Sequence, residues 1–305
     1  MNKFVSIVLF VLVGGVSAVA QKDLVMSQYM HNRYSVNSAF AGNREALSLN
    51  GTFRKKWMGI NGSPSAQYFS VHSPLRNEKI ALGLDVYNQQ YGVTRQTGFS
   101  LSYTYRLKLD NDQILSFGLS GGMSFNASNW TDITTLDEFV EDPEFQNNEN
   151  VSSPLVGFGA AWYGKNFFAG VSAPNLFKYD ISEGGSSEFA PGDVNYIVTG
   201  GYLFELSKQF DLQPTVLTRF NPAETTHVDL NATLIYSEMI WLGVSYRTTS
   251  DVVALLGYQV TPQLRFSYSF DYSLGEISAY NNGTHEIGIQ FDFGYKIKTP
   301  NPKFF

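Results

Sequence analysis

The chain has 305 residues, no cysteine and a formal net charge of -6 at pH 7. Zero cysteines exclude disulfides, thiolate metal sites, thiol nucleophiles and a lipoprotein anchor, and the acidic balance argues against nucleic acid as a partner. Aromatic residues make up 15% and charged residues 16%, yet mean hydropathy is -0.14 and no window reaches the eighteen apolar residues of a spanning helix, so any membrane crossing falls to strands.

Residues 1–20 read as a secretory signal: Lys3 supplies the positive start, 4–13 a largely apolar run, and Ala18-Val19-Ala20 a small-residue cleavage site ahead of Gln21. The run is too short and too weakly flanked to span a bilayer, so the mature chain is expected to begin after Ala20. Residues 21–43 form a polar, aromatic segment, either periplasmic or a plug. From 44 to 297 the chain reads as an all-β antiparallel transmembrane β-barrel, and 298–305 as a C-terminal tail.

The barrel reading rests on alternation. In 286–297, Ile287, Ile289, Phe291, Phe293, Tyr295 and Ile297 share one face, while Glu286, Gly288, Gln290, Asp292, Gly294 and Lys296 share the other. Successive strand side chains point to opposite faces, so this is a wall between lipid and a polar interior. Leu82, Leu84 and Val86 alternate with Gly83, Asp85 and Tyr87; Leu101, Tyr103, Tyr105 and Leu107 with Ser100, Ser102, Thr104 and Arg106. Leu242, Val244 and Tyr246 oppose Gly243, Ser245 and Arg247; Phe266, Tyr268, Phe270 and Tyr272 oppose Arg265, Ser267, Ser269 and Asp271. A soluble sandwich would gather its aromatics into one shared core instead. About fourteen strands are expected, at 44–55, 64–74, 79–89, 93–107, 112–125, 151–163, 165–173, 193–206, 210–220, 225–237, 239–248, 251–260, 262–273 and 283–297. An even number brings both ends of the barrel to one side of the membrane, and closure removes the edges that lipid does not tolerate. Asp110-Asn111-Asp112 and Gly164-Lys165 read as short turns, and roughly 126–150 as the longest external loop.

That loop holds Asp132, Asp137, Glu138, Glu141, Asp142, Glu144 and Glu149 without a lysine or arginine. The spacing does not match a calcium loop, which needs alternating oxygen ligands around a central glycine, so a solvated surface is expected and no metal or cofactor is assigned. Leu136, Phe139 and Val140 at helical spacing point to a short helix seating the loop. Among His31, His72, His227 and His285, nothing fixes a nucleophile, base and oxyanion donor together, and no enzyme is expected. His285-Glu286 reads as a lumen or turn pair.

Three strings set the N-terminal part apart: Ser27-Gln28-Tyr29-Met30-His31-Asn32, Asn37-Ser38-Ala39-Phe40-Ala41-Gly42 and the stretch from Phe53-Arg54 through Trp57 and Gly62-Ser63-Pro64, followed by a strand histidine at His72. These resemble the PorP/SprF family of the Bacteroidetes, with Ser38 in place of its usual proline and Phe53 where tyrosine is commoner. Tyr246-Arg247, Tyr268-Ser269-Phe270-Asp271 and Thr284-His285-Glu286-Ile287 carry the resemblance along the rest of the chain. It implies a non-enzymatic outer-membrane barrel of the type IX secretion and gliding machinery. The implied partners are other secretion components of the outer membrane and periplasm, and the C-terminal sorting domain of a large secreted adhesin held for export and surface anchoring.

Tyr29, Asn32, Asn37, Arg54 and Trp57 are the candidate docking groups, because a polar-aromatic segment ahead of the barrel is not needed to cross lipid. The alternative for the same residues is a plug folded inside the barrel, with Arg54 stacked on Trp57. Ala39 and His72 complete the family strings; Gly42, Gly62 and Pro64 read as turn formers. The competing class is an outer-membrane porin or a transporter of small apolar molecules, with Asp85, Arg106, Arg247, Arg265, Asp271, Asp292 and Lys296 lining its lumen. A third is a structural barrel or adhesin receptor outside any secretion pathway.

Overall fold

The computed structural model describes residues 26–132, 147–180, 186–189, 194–222, 225–249 and 251–294. Their strands are β1 (Leu47–Lys55), β2 (Ser65–Pro74), β3 (Ile80–Tyr91), β4 (Thr94–Lys108), β5 (Ile114–Ser128), β6 (Glu149–Tyr163) and β7 (Phe167–Ala173). After a small hairpin of β8 (Phe177–Asp180) and β9 (Ser186–Phe189) come β10 (Tyr196–Tyr202), β11 (Phe204–Glu205), β12 (Phe210–Phe220), β13 (His227–Tyr236), β14 (Ile240–Arg247), β15 (Asp251–Gln259), β16 (Leu264–Ser273) and β17 (Thr284–Phe293).

Every strand of the wall pairs antiparallel with its neighbour in sequence, and β1 pairs with β17 from Leu47↔Phe293 to Lys55↔His285. β10 lies between β7 and β12, while β11 pairs with β12 beside it. β10 and β11 therefore occupy one position, and the wall is a closed fourteen-stranded barrel with no free edge between strands. The expected single strand at 193–206 is broken at Leu203, whose side chain is buried with Ile235 and Trp241. β17 stops at Phe293, short of the expected 297; Tyr295, Lys296 and Ile297, like the tail, lie outside the described residues. So do the signal segment and residues 133–146, with the expected short helix and most of the acidic loop.

The two mouths differ. At one, β2–β3, β4–β5, β6–β7, β13–β14 and β15–β16 are joined by tight turns. Asn111, Asp112, Ser237 and Glu238 take positive φ of 48–61° there, as short hairpin turns require. At the other mouth lie the connections 56–64, 129–148, 174–195 and 274–283.

The dyad pattern has its expected orientation. Leu101, Leu119, Val198, Leu230, Leu242, Val244, Leu256 and Ile287 form an exposed aliphatic band. Exposed aromatics flank it, with Trp162, Tyr202, Phe204, Phe210 and Tyr236 toward the short turns and Phe53, Tyr91, Phe125, Tyr196 and Tyr272 toward the long loops. Inward, Ser70, Ser100, Ser102, Thr104, Arg106, Ser116, Asp271 and Glu286 are buried. An apolar belt between aromatic girdles around a polar interior is the surface that fits a bilayer. The interior is polar but filled, because residues 26–46 run through it.

Candidate functional site: a lumenal plug and its wall

The segment between Met26 and β1 has no hydrophobic period and forms no long element; two three-residue turns, Arg33–Ser35 and Ser38–Phe40, shape it. It is nevertheless among the most buried parts of the chain, with Ser27, Tyr29, Met30, Arg33, Tyr34, Asn37, Ala39, Phe40 and Ala41 all nearly or fully enclosed. A buried irregular backbone must find hydrogen-bond partners elsewhere, and the lumenal side chains supply them.

At the long-loop end the partners are charged. Glu286 accepts the Ser27 N–H at 2.8 Å and the Gln28 N–H at 3.0 Å. Ser27 Oγ donates to Asp271 Oδ2 at 2.6 Å and accepts from Arg247 Nη2 at 3.1 Å and from Arg54 Nη1. Arg54 bridges Asp271 (2.6 Å) and Glu286 (2.7 Å), and Arg247 reaches Asp229 (3.0 Å) and Asp271 (3.3 Å). Arg54 belongs to β1 and its carboxylates to β16 and β17, so this cluster ties the plug's first residues across the seam where the barrel closes. A guanidinium fork between two carboxylates is a strong charge-assisted arrangement, and it needs its full set of partners because every member is nearly dry.

In the middle, Tyr29 packs with Met30, Val36, Ile197, Leu217, Val253 and Leu255, its hydroxyl 3.4 Å from Thr215 Oγ1. Asn32 donates to Ser70 Oγ at 3.0 Å, and Tyr34 Oη lies 2.7 Å from Ser102 Oγ. Beside His31, Arg44 and His72 the plug leaves a cavity of about 10 Å³, room for roughly one water.

From Asn37 to Gly42, shape replaces charge. Asn37 caps the turn that follows it, accepting the Ala39 N–H at 2.9 Å, while its Nδ2 donates to the carbonyls of Ala160 and Val171, each at 3.1 Å. The wall makes room with glycines: a Cβ at Gly159 would stand 2.0 Å from Asn37 Oδ1, and one at Gly118 2.5 Å from the Ala39 nitrogen. Ser116 Oγ donates to the Ala39 carbonyl at 2.7 Å and Thr104 Oγ1 to the Ser38 carbonyl at 2.8 Å. Ser38, standing where the family favours proline, thus sits in a capped turn whose carbonyl the wall engages. Phe40 fills the space against Tyr163 and Phe168.

The exit from the plug is fixed by His72, whose Nδ1 accepts the Gly42 N–H at 3.1 Å while Tyr34 packs on its ring. Gly42 takes φ +72°, and a Cβ there would lie 2.6 Å from that of Ala81, so both backbone and space require glycine. Arg44 then pairs with Asp292 at 2.8 Å, and Glu45 with Arg106, before β1 begins.

Of the ten residues singled out from sequence, Tyr29, Asn32, Asn37, Ala39, Gly42, Arg54 and His72 meet in this plug–wall interface. Trp57, Gly62 and Pro64 stand apart on the connection 56–64 at the long-loop mouth. Trp57 is half-buried, its N–H donating to Thr284 Oγ1 at 3.2 Å. The alternative stacking of Arg54 on Trp57 is not found: the lumenal carboxylates hold Arg54, and the Lys56 ammonium lies 4.2 Å from the Trp57 ring centroid. Gly62, at φ +71°, accepts the Gly92 N–H, and the Pro64 carbonyl accepts the Lys56 N–H at 2.8 Å, closing the turn. His285 and Glu286 do not act as a pair. Glu286 faces the lumen, whereas His285 faces outward, 2.6 Å from Tyr268 Oη.

Asp229, Gly118, Gly159 and Glu45 were not singled out. Alternation marks the first three as lumen-facing once strands are drawn, but what approaches them comes from the distant plug. Asp271 and Arg247 were placed on the lumenal face, without their partners.

In comparisons with known proteins, no curated protein matches the chain. Among solved structures, the Acinetobacter baumannii outer membrane protein Omp33 is 10% identical over 82% of this chain and 99% of its own, with a TM-score of 0.46. A Pseudomonas aeruginosa FadL homologue is 10% identical over 82% of this chain and 89% of its own, with a TM-score of 0.44. Likeness at that level says nothing of activity. The family described as "Type IX secretion system membrane protein PorP/SprF" matches residues 18–291, and with nearly the whole described barrel and plug inside that match, the chain belongs to the PorP/SprF family.

Proposed function

We propose that this chain is a non-enzymatic outer-membrane component of type IX secretion that receives the C-terminal sorting domain of a large secreted surface protein, an adhesin, and holds it for export and surface anchoring. Family membership supports the secretion setting. The observation that carries the mechanism is the plug: with the lumen occupied from Ser27 to Ala46, the barrel offers a partner its loops and rim rather than a passage. A rigid, filled barrel presents those loops on a fixed frame, and main-chain pairing with aromatic anchors would serve a β-rich partner there. The same filled lumen weighs against a porin or a carrier of small apolar molecules.

The test is affinity capture of the tagged protein from detergent-solubilised outer membranes of its own organism under mild crosslinking, with mass spectrometry of what co-purifies. Recovery of a large surface protein with a β-rich C-terminal domain, together with secretion subunits, is the expected result. Recovery of the barrel alone, with steady ion conductance in planar bilayers, overturns it.

A further inference from the structure

The path of the plug has a direction, and its anchor points lie in order of depth. Ser27 and Gln28 are bound by Glu286, the third residue of β17, and Ser27 also by Arg54 and Arg247, at or next to the ends of β1 and β14; all of these lie at the long-loop mouth. Asn32 and Tyr34 bond mid-strand residues, Ser70 of β2 and Ser102 of β4. Ala39 and Phe40 meet Ser116 near the start of β5 and Tyr163 at the end of β6, both at the short-turn mouth. Arg44 closes on Asp292, the penultimate residue of β17, and β1 then sets off back toward the long loops.

The segment thus crosses the lumen once. Fourteen strands return the chain to the mouth where β1 began, and the additional pass puts the two ends of the described chain at opposite mouths: Met26 with the long loops, Phe293 with the short turns. In outer-membrane barrels the short turns face the periplasm and the longer loops the exterior. We infer that the chain enters the barrel from the outer side, so that Met26 stands at the cell surface beside the connections 56–64 and 274–283. The amino-terminal end then belongs to the face open to extracellular partners, and the ion-pair cluster on Ser27 is the collar where it enters the lumen.

Because the chain has no cysteine, single cysteines report position without background. Met26→Cys is compared with Tyr280→Cys, on the exposed long-loop connection, and Asn111→Cys, in a short turn, by labelling intact cells with a membrane-impermeant maleimide before and after outer-membrane permeabilisation. A peptide epitope inserted between Val25 and Met26, probed with antibody on intact cells, serves as a second readout should the half-buried Met26 react poorly. A gain of label at Met26→Cys or of antibody at the epitope in intact cells, alongside Tyr280→Cys and while Asn111→Cys waits for permeabilisation, supports the inference. Both probes reporting only after permeabilisation together with Asn111→Cys, or only after denaturation, overturns it.

Discussion

Two stretches of the plug are held by different physics. At the long-loop mouth, Ser27 and Gln28 are gripped by Arg54, Arg247, Asp271 and Glu286, a cluster in which charges supply the hydrogen bonds that an irregular backbone lacks. Toward the short turns, Asn37 to Gly42 are gripped by neutral groups and by the absence of side chains at Gly118 and Gly159. The Ser27–Gln28 stretch depends on partners being present, the Asn37–Gly42 stretch on atoms being missing. Substitution should therefore damage the first by deletion and the second by addition.

The largest effect is expected at Arg54. Arg54→Met leaves Asp271 and Glu286 buried with reduced compensation, and breaking such a pair from one side costs about 3–5 kcal/mol. The temperature at which the folded barrel converts to its unfolded band on gels should fall clearly, and adding Glu286→Gln should recover part of the loss by removing one stranded charge. A single variant as stable as the parent would show that the cluster does not hold the plug's entrance.

Next comes Gly159→Ala. Its methyl must displace Asn37 Oδ1, and overpacking of this kind costs typically about 1–3 kcal/mol. Asn37→Ala makes room for that methyl while surrendering the cap on Ala39 and two donated bonds, so each single variant should be destabilised and the double variant less so than the sum. Strict additivity in the same melting measurement would mean that the Gly159 wall and the Asn37 turn do not fit together as described.

Much of the wall was legible in the sequence and little of the plug's course was. A strand facing lipid and a polar lumen must alternate, so Leu101 to Leu107 and Phe266 to Tyr272 declare both structure and orientation from local order alone. The break at Leu203 was hidden, because a buried leucine looks at home in any strand. The plug has no period to read. Its residues stood out only as strings resembling a family, and those strings are compatible with a docking surface or a plug alike. What separates the two is contact across great chain distance: Ser27 with Glu286, Asn37 with Ala160, Arg54 with Asp271. Which wall positions carry charge could be foreseen; which residue meets them depends on where the plug lies in the lumen, and nothing local encodes that.

The smallest effect on stability is expected at Trp57, and it sharpens the contrast between groups that hold the plug and groups that face outward. The ring is half-buried beside Lys56, no lumenal charge depends on it, and the backbone bond to Thr284 survives truncation. Trp57→Ala should therefore move the melting temperature far less than Arg54→Met, in keeping with the roughly 0.5 kcal/mol typical of surface substitutions. Its consequence should appear instead in capture of the secreted partner, since tryptophan is among the residues from which interfaces draw most of their energy. Loss of partner in the affinity capture with an unchanged melt would assign Trp57 to the docking face. Unchanged capture would move the docking face to another connection at the same mouth, and a melt lowered as far as that of Arg54→Met would make Trp57 part of the structure that closes the barrel.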